Sequence, residues 1–90
     1  MRESDIRKAL KKRVEEYGGE VRAVSWLGRK HAPDVLCLFR GWHAFIETKA
    51  PGGKPSPGQD REHARMRNAG CLTEVITTLE ELDEWLCPLN

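Results

Sequence analysis

The chain reads as one small α/β domain of the α+β type, a mixed sheet flanked by helices in the order α-β-β-β-α-β-α across residues 1–90. Three observations carry that reading. Helical spacing or a helix start signal marks three segments, and two apolar runs meeting at Arg40-Gly41 mark a hairpin. The third is length: a 90-residue chain buries only a little over half of the surface its unfolded form exposes, which leaves room for a single core.

In Ser4 to Tyr17, residues Ile6, Ala9, Leu10, Val14 and Tyr17 fall on one helical stripe, with Lys8, Lys11, Lys12 and Glu15 off it and Gly18-Gly19 as the stop. Residues 20–26 alternate as a strand does. Leu27 to Ala32 then form a basic connection, Gly28-Arg-Lys-His31 within it. Pro33 drives Ala32 out of helical geometry, so Asp34 to Phe39 reads as a central strand, and Trp42 to Lys49 returns beside it. Ala50 to Pro55, with its prolines and glycines, is a loop. Ser56, Pro57 and Gln59 supply an N-cap, a first-turn proline and a capping-box partner for a helix that runs to about Asn68 and stops at Gly70. Cys71 to Ile76 is a short strand. Thr78 with Glu81 is a second capping box, opening a helix whose Leu79, Leu82, Trp85 and Leu86 face inward.

Composition narrows the function classes. At 39% hydrophobic and 32% charged the chain is neither disordered nor membrane-embedded, and six Lys or Arg among the first fifteen residues with no apolar stretch after them do not resemble a secretory signal. An intracellular location is expected. The net charge of +1 conceals an asymmetry: residues 1–67 carry all fifteen bases and nine acids, net +6, whereas 68–90 carry five acids and no base. A basic flank attracts a polyanion through its local field whatever the total charge, which makes nucleic acid a candidate partner. Cys37, Cys71 and Cys87 form no C-x-x-C pair and read as buried thiols; with His31, His43 and His63 they give no zinc spacing. Phosphate-loop and serine-elbow motifs are absent.

The hairpin supplies the chemistry. With Arg40-Gly41 as its turn, Phe39 pairs with Trp42 and every later pair has residue numbers adding to 81, so Asp34 falls opposite Glu47. Opposed residues of an antiparallel pair share a face, with Cβ atoms about 5 Å apart. Lys49, two positions on from Glu47, points the same way. Two carboxylates that close repel unless a cation lies between them. Oxygen ligands with open positions suit Mg²⁺ or Mn²⁺, and a lysine beside them can orient water and offset charge on a phosphate. That equipment fits phosphodiester hydrolysis.

Pro33-Asp34 followed by Glu47-Thr48-Lys49 resembles the PD-(D/E)XK nuclease signature. The continuation from Lys49 through Ala-Pro-Gly-Gly-Lys-Pro-Ser-Pro-Gly to Gln59 resembles the VRR-Nuc branch, the virus-type replication-repair nucleases. The likeness runs from Glu3 to the last helix. It implies a restriction-endonuclease-like fold and a metal-dependent deoxyribonuclease, with Asp34, Glu47 and the Thr48 carbonyl as metal ligands, Lys49 as catalytic lysine and Gln59 as support. It also implies a glutamate on the first helix, for which Glu3 is the best match ahead of Glu15 and Glu16. Related sequences usually carry glycine where this chain has His31. Three histidines could suggest an H-N-H nuclease, but none is followed by the Asn/His spacing it needs, which disfavours that reading.

Lys8, Lys11, Lys12, Arg13, Arg29, Lys30, Lys54, Arg61, Arg65 and Arg67 are candidate phosphate contacts, among which Lys11, Lys12, Arg29, Lys30, Lys54 and Arg61 are expected to bind DNA. Stand-alone members of the resembled family act as dimers on branched DNA, so the resemblance implies a homodimeric Holliday-junction resolvase-like activity, with DNA repair or phage replication as its setting. Trp85 and Leu89 are candidate interface residues. The competing readings are a flap or single-strand nuclease and a DNA-binding module with an idle site.

Overall fold

A computed structural model describes residues 1–87 as α1 (Glu3–Glu16), β1 (Glu20–Ala23), β2 (Val35–Phe39), β3 (Trp42–Thr48), α2 (Pro57–Asn68), β4 (Thr73–Ile76) and α3 (Leu79–Leu86). The α+β class and the element order are those read from the sequence. The strands form one mixed sheet in the order β1-β2-β3-β4, with β1, β2 and β3 antiparallel and β4 parallel to β3. A parallel neighbour needs a crossover, and α2 is that crossover.

The hairpin has the expected register. Its ladder runs from Phe39↔Trp42 to Val35↔Ile46, and Gly41 provides the positive φ (86°) that closes so short a turn. Side chains therefore alternate between two faces of β3. Ala44 and Ile46 join Val35, Cys37 and Ile76 beneath α1 (Ile6, Leu10, Val14) and α3 (Leu82, Leu86), and together these ten residues make the core. Phe45 and Glu47 project from the opposite face, which α2 covers. At the far end of the hairpin Phe39 stacks on Trp42 at 4.3 Å, and Trp85 of α3 packs edge-on against both. That packing uses part of the Trp85 ring, which stays half-buried; Leu89 lies outside the described residues.

Four local expectations are corrected. β1 ends at Ala23, not Trp26: the Val24 amide still donates to the Asp34 carbonyl (2.9 Å), one step on in the same register, but at Trp26 it is the side chain, through Nε1, that bonds the Pro33 carbonyl (2.7 Å). β4 begins at Thr73, although the Phe45 amide already bonds the Leu72 carbonyl. Only half of the Thr78–Glu81 box forms: Thr78 Oγ1 accepts the Glu81 amide, but the Glu81 carboxylate turns to the amide and hydroxyl of Thr77. Of the three thiols only Cys37 is buried, its pKa pushed up to about 12 by desolvation; Cys71 is half-buried after the α2 stop, and Cys87 is exposed at the end of α3.

Candidate active site

Asp34 and Glu47 lie one register step beyond the last ladder pair, where the apolar strands end. Their environments differ. Glu47 also pairs with Val75 of β4 and is buried, whereas half of the Asp34 side chain is exposed. Burial, followed by the charge of Asp34, pushes the Glu47 carboxyl up to about 7; Lys49 and Arg7 oppose that rise and Glu3 adds to it. Five charged groups from α1, β3 and the start of β2 thus share one electrostatic environment, as the Asp/Glu/Lys cluster read from the hairpin requires.

α1 contributes two of them. Glu3 Oε1 accepts a hydrogen bond from Thr48 Oγ1 (3.2 Å), which brings Glu3 to the site, while Glu15 and Glu16 stay exposed at the other end of the helix. Arg7, one turn after Glu3, sits with Nη2 at 3.1 and 3.2 Å from the two oxygens of Asp34 and at 3.7 Å from Glu3. Its guanidinium stands where positive charge is wanted.

The donor set fits a hard divalent cation. Among the described residues no three or more His, Cys, Asp or Glu side chains form a ready-made cage, so the protein offers two carboxylates and the adjacent main chain. Such a set suits Mg²⁺ or Mn²⁺, which retain waters and accept phosphate oxygens at the remaining positions. Burial is the main reason the Glu47 carboxyl is raised, and the Asp34 charge beside it adds to the rise; a cation between the two would oppose both.

α2 supplies the other wall. Gln59 Oε1 accepts the Ser56 amide (2.9 Å) and the Gln59 amide donates to Ser56 Oγ (3.1 Å), so the capping box forms and leaves the Gln59 side-chain NH₂ as the part free for the site. One turn later His63 is buried, with Nε2 3.7 Å from Glu47 Oε1 and no hydrogen-bond partner. Desolvation, with Arg67 next, lowers its pKa and keeps it neutral. Arg7 and His63 were not singled out for the site in the sequence, although each lies four residues after a nominated one, Glu3 and Gln59, and i,i+4 positions share a helix face. Gln59→Glu should keep the cap, since glutamate fills the same box, yet lower activity by adding an anion to α2 one turn before His63, whose ring lies 3.7 Å from Glu47. Urea denaturation together with a cleavage assay checks this; unchanged activity would leave Gln59 as a cap alone.

His31 packs against α2. A Cβ on Gly58 would lie 2.6 Å from its Nε2, so Gly58 is what lets the ring approach the helix. Of the expected DNA contacts, Lys11 lines a groove of about 390 Å³ between α1 and β1 with Arg7, Lys8 and Arg22. Arg29 and Lys30 line a second cleft, beside α2. Lys12, Lys54 and Arg61 are exposed.

The geometry can be set beside known proteins. No family model matches the chain. It is 43% identical to "Putative nuclease p44" of Acyrthosiphon pisum secondary endosymbiont phage 1, over all of this chain and 97% of the relative. A solved VRR_NUC domain superposes with a TM-score of 0.85 at 40% identity, covering 96% of this chain and 94% of that one. With a relative and a solved structure this similar along nearly their whole lengths, and the Pro-Asp…Glu-Thr-Lys residues gathered at one end of the sheet, the chain belongs to the VRR-Nuc family of nuclease domains.

Proposed function

We propose that this nuclease domain is a Mg²⁺- or Mn²⁺-dependent DNA endonuclease acting on branched DNA as a homodimer. The observation that carries the metal-dependent chemistry is the pairing of buried Glu47 with Asp34, with Lys49 two residues on. Asp34, Glu47 and the Thr48 carbonyl would hold the metal, whose chemistry there would be to polarise the scissile phosphate and offset developing charge. Lys49 orients the attacking water and offers positive charge to the phosphate. The water oxygen bonds to phosphorus and gives up a proton to solvent, the bond from phosphorus to the leaving oxygen breaks, and that oxygen takes up a proton from solvent, so the two transfers cancel. Glu3 fixes Thr48 through its hydroxyl, and the Gln59 NH₂ steadies the site from α2. Arg7 holds Asp34 in this structure; a metal on Asp34 would take over that charge pairing and leave the guanidinium for the substrate phosphate.

The exposed bases on α1 and on the 27–31 loop support a phosphate-tracking surface, which binds without reading sequence. A domain of this size spans few phosphates alone, and two copies would cut a junction symmetrically. One panel tests the reading: junction, flap, single-strand and duplex DNA, each with Mg²⁺, Mn²⁺ or EDTA, alongside the solution mass. The expected result is junction cleavage with either metal, none in EDTA, and a dimer mass. Full activity in EDTA would end the metal reading, and a monomer mass with and without junction DNA would end the dimer.

A further inference from the structure

Beside the catalytic end lies a cleft of about 450 Å³ between the 26–31 segment and α2. The carboxylates of the site do not line it. One wall is Trp26, whose indole N–H is fixed on the carbonyl of Pro33, the residue before Asp34, and whose ring packs on Phe45 at 5.4 Å. The other wall is a charged assembly. Glu62 is buried, its Oε1 accepts from Arg65 Nε (3.0 Å) and Nη2 (2.7 Å), and Arg29 Nη1 lies 3.7 Å away. A buried carboxylate holding two arginines leaves net positive charge on the cleft. Arg65 has about five N–H donors and spends two on Glu62, so the rest are available to a ligand. Lys30 adds a third cation at the rim. The segment is braced by His31 on Gly58, so both walls are set before anything binds.

An aromatic face opposite fixed guanidinium donors matches one chemical unit, a base joined to a phosphate. Base pairs in a duplex present no free ring face, whereas an unpaired base can stack. We propose that this cleft binds a single unpaired nucleotide of the substrate strand, its base on Trp26 and its phosphate on Arg65 and Arg29. The chemistry rests on the nuclease reading and refines it: the preferred branch is one with an unpaired nucleotide at the strand passing Asp34.

The test is equilibrium binding by fluorescence anisotropy with Ca²⁺ in place of Mg²⁺, comparing a fully paired junction with one carrying a short unpaired tail. The wild type should bind the tailed form about tenfold more tightly, the effect of one stacked base. Trp26→Leu should abolish that difference, and Arg65→Gln should reduce it several-fold. Because Trp26 also packs on Phe45, a second measurement uses the intact protein: titration with tetrathymidylate, followed by the indole N–H resonances in a ¹H–¹⁵N spectrum, should move the Trp26 signal. Equal affinity for paired and tailed junctions, with the Trp26 resonance unmoved, would overturn the proposal and leave the cleft's bases as duplex phosphate contacts. In that outcome the metal-dependent cleavage panel still stands, whereas failure to cleave any DNA would remove the nuclease reading itself.

Discussion

Lys49→Ala is expected to lower the cleavage rate roughly 10²–10⁴-fold while leaving metal and DNA binding in place, because its role lies in the chemical step. The lysine follows Glu47 by two positions, just past the end of β3, and its charge lowers the Glu47 pKa. Asp34→Asn and Glu47→Gln should lose activity for a different reason, since each removes a metal ligand. The loss there is roughly 10³-fold or more, corresponding to several kcal/mol of charge stabilisation. Single-turnover cleavage with calorimetric metal titration separates the cases. A Lys49→Ala protein that turns over bound substrate at the normal rate would reduce the lysine to an electrostatic anchor.

The second large effect concerns stability. Glu47 titrates near 7 in the folded protein against an ordinary value of 4.5, so between those values the folded state holds the proton that the unfolded state has lost. Metal-free stability from this group is therefore fully present below about 4.5 and falls as the pH rises to 7, by an amount on the order of 2–3 kcal/mol. His63 acts in the opposite direction: its lowered pKa makes stability rise as the pH climbs towards 6.5. Glu47→Gln isolates the glutamate contribution. Urea denaturation at pH 5 and pH 8 should show the variant gaining on the wild type by that amount. Mg²⁺ or Mn²⁺ at pH 8 should raise the wild-type Tm and leave the variant's unchanged. A difference between the two proteins that does not change with pH would place Glu47 in a better-solvated setting than the fold gives it.

How far the sequence carried depended on whether a signal was local. The Arg40-Gly41 turn fixed the register, and the register alone brought Asp34 towards Glu47 without knowledge of any other element. Ser56, Pro57 and Gln59 likewise placed the start of α2 correctly, and the box forms as written. What stayed hidden depends on tertiary packing. Nothing in residues 20–26 says that the strand stops at Ala23 and that Trp26 turns its indole N–H to a carbonyl, because that partner, Pro33, lies on another segment. Arg7 reads as one more base on a charged helix until α1 is laid across the strand ends, and His63 as one of three scattered histidines until α2 covers Glu47. Arg65 reads only as one of many candidate phosphate contacts; its pairing with buried Glu62 and the cleft beside them exist only once the 26–31 segment folds over α2.

The most direct test of the central claim, that Asp34 and Glu47 form a divalent-metal site at the end of the hairpin, is titration of the intact protein with Mn²⁺, followed by electron paramagnetic resonance. The expected result is a single saturable class of site in the wild type and in Lys49→Ala, and its loss in Asp34→Asn and Glu47→Gln while the circular dichroism of both variants stays native. Undiminished Mn²⁺ binding in the two carboxylate variants would contradict the account and move the metal, and with it the reaction, to another part of the molecule.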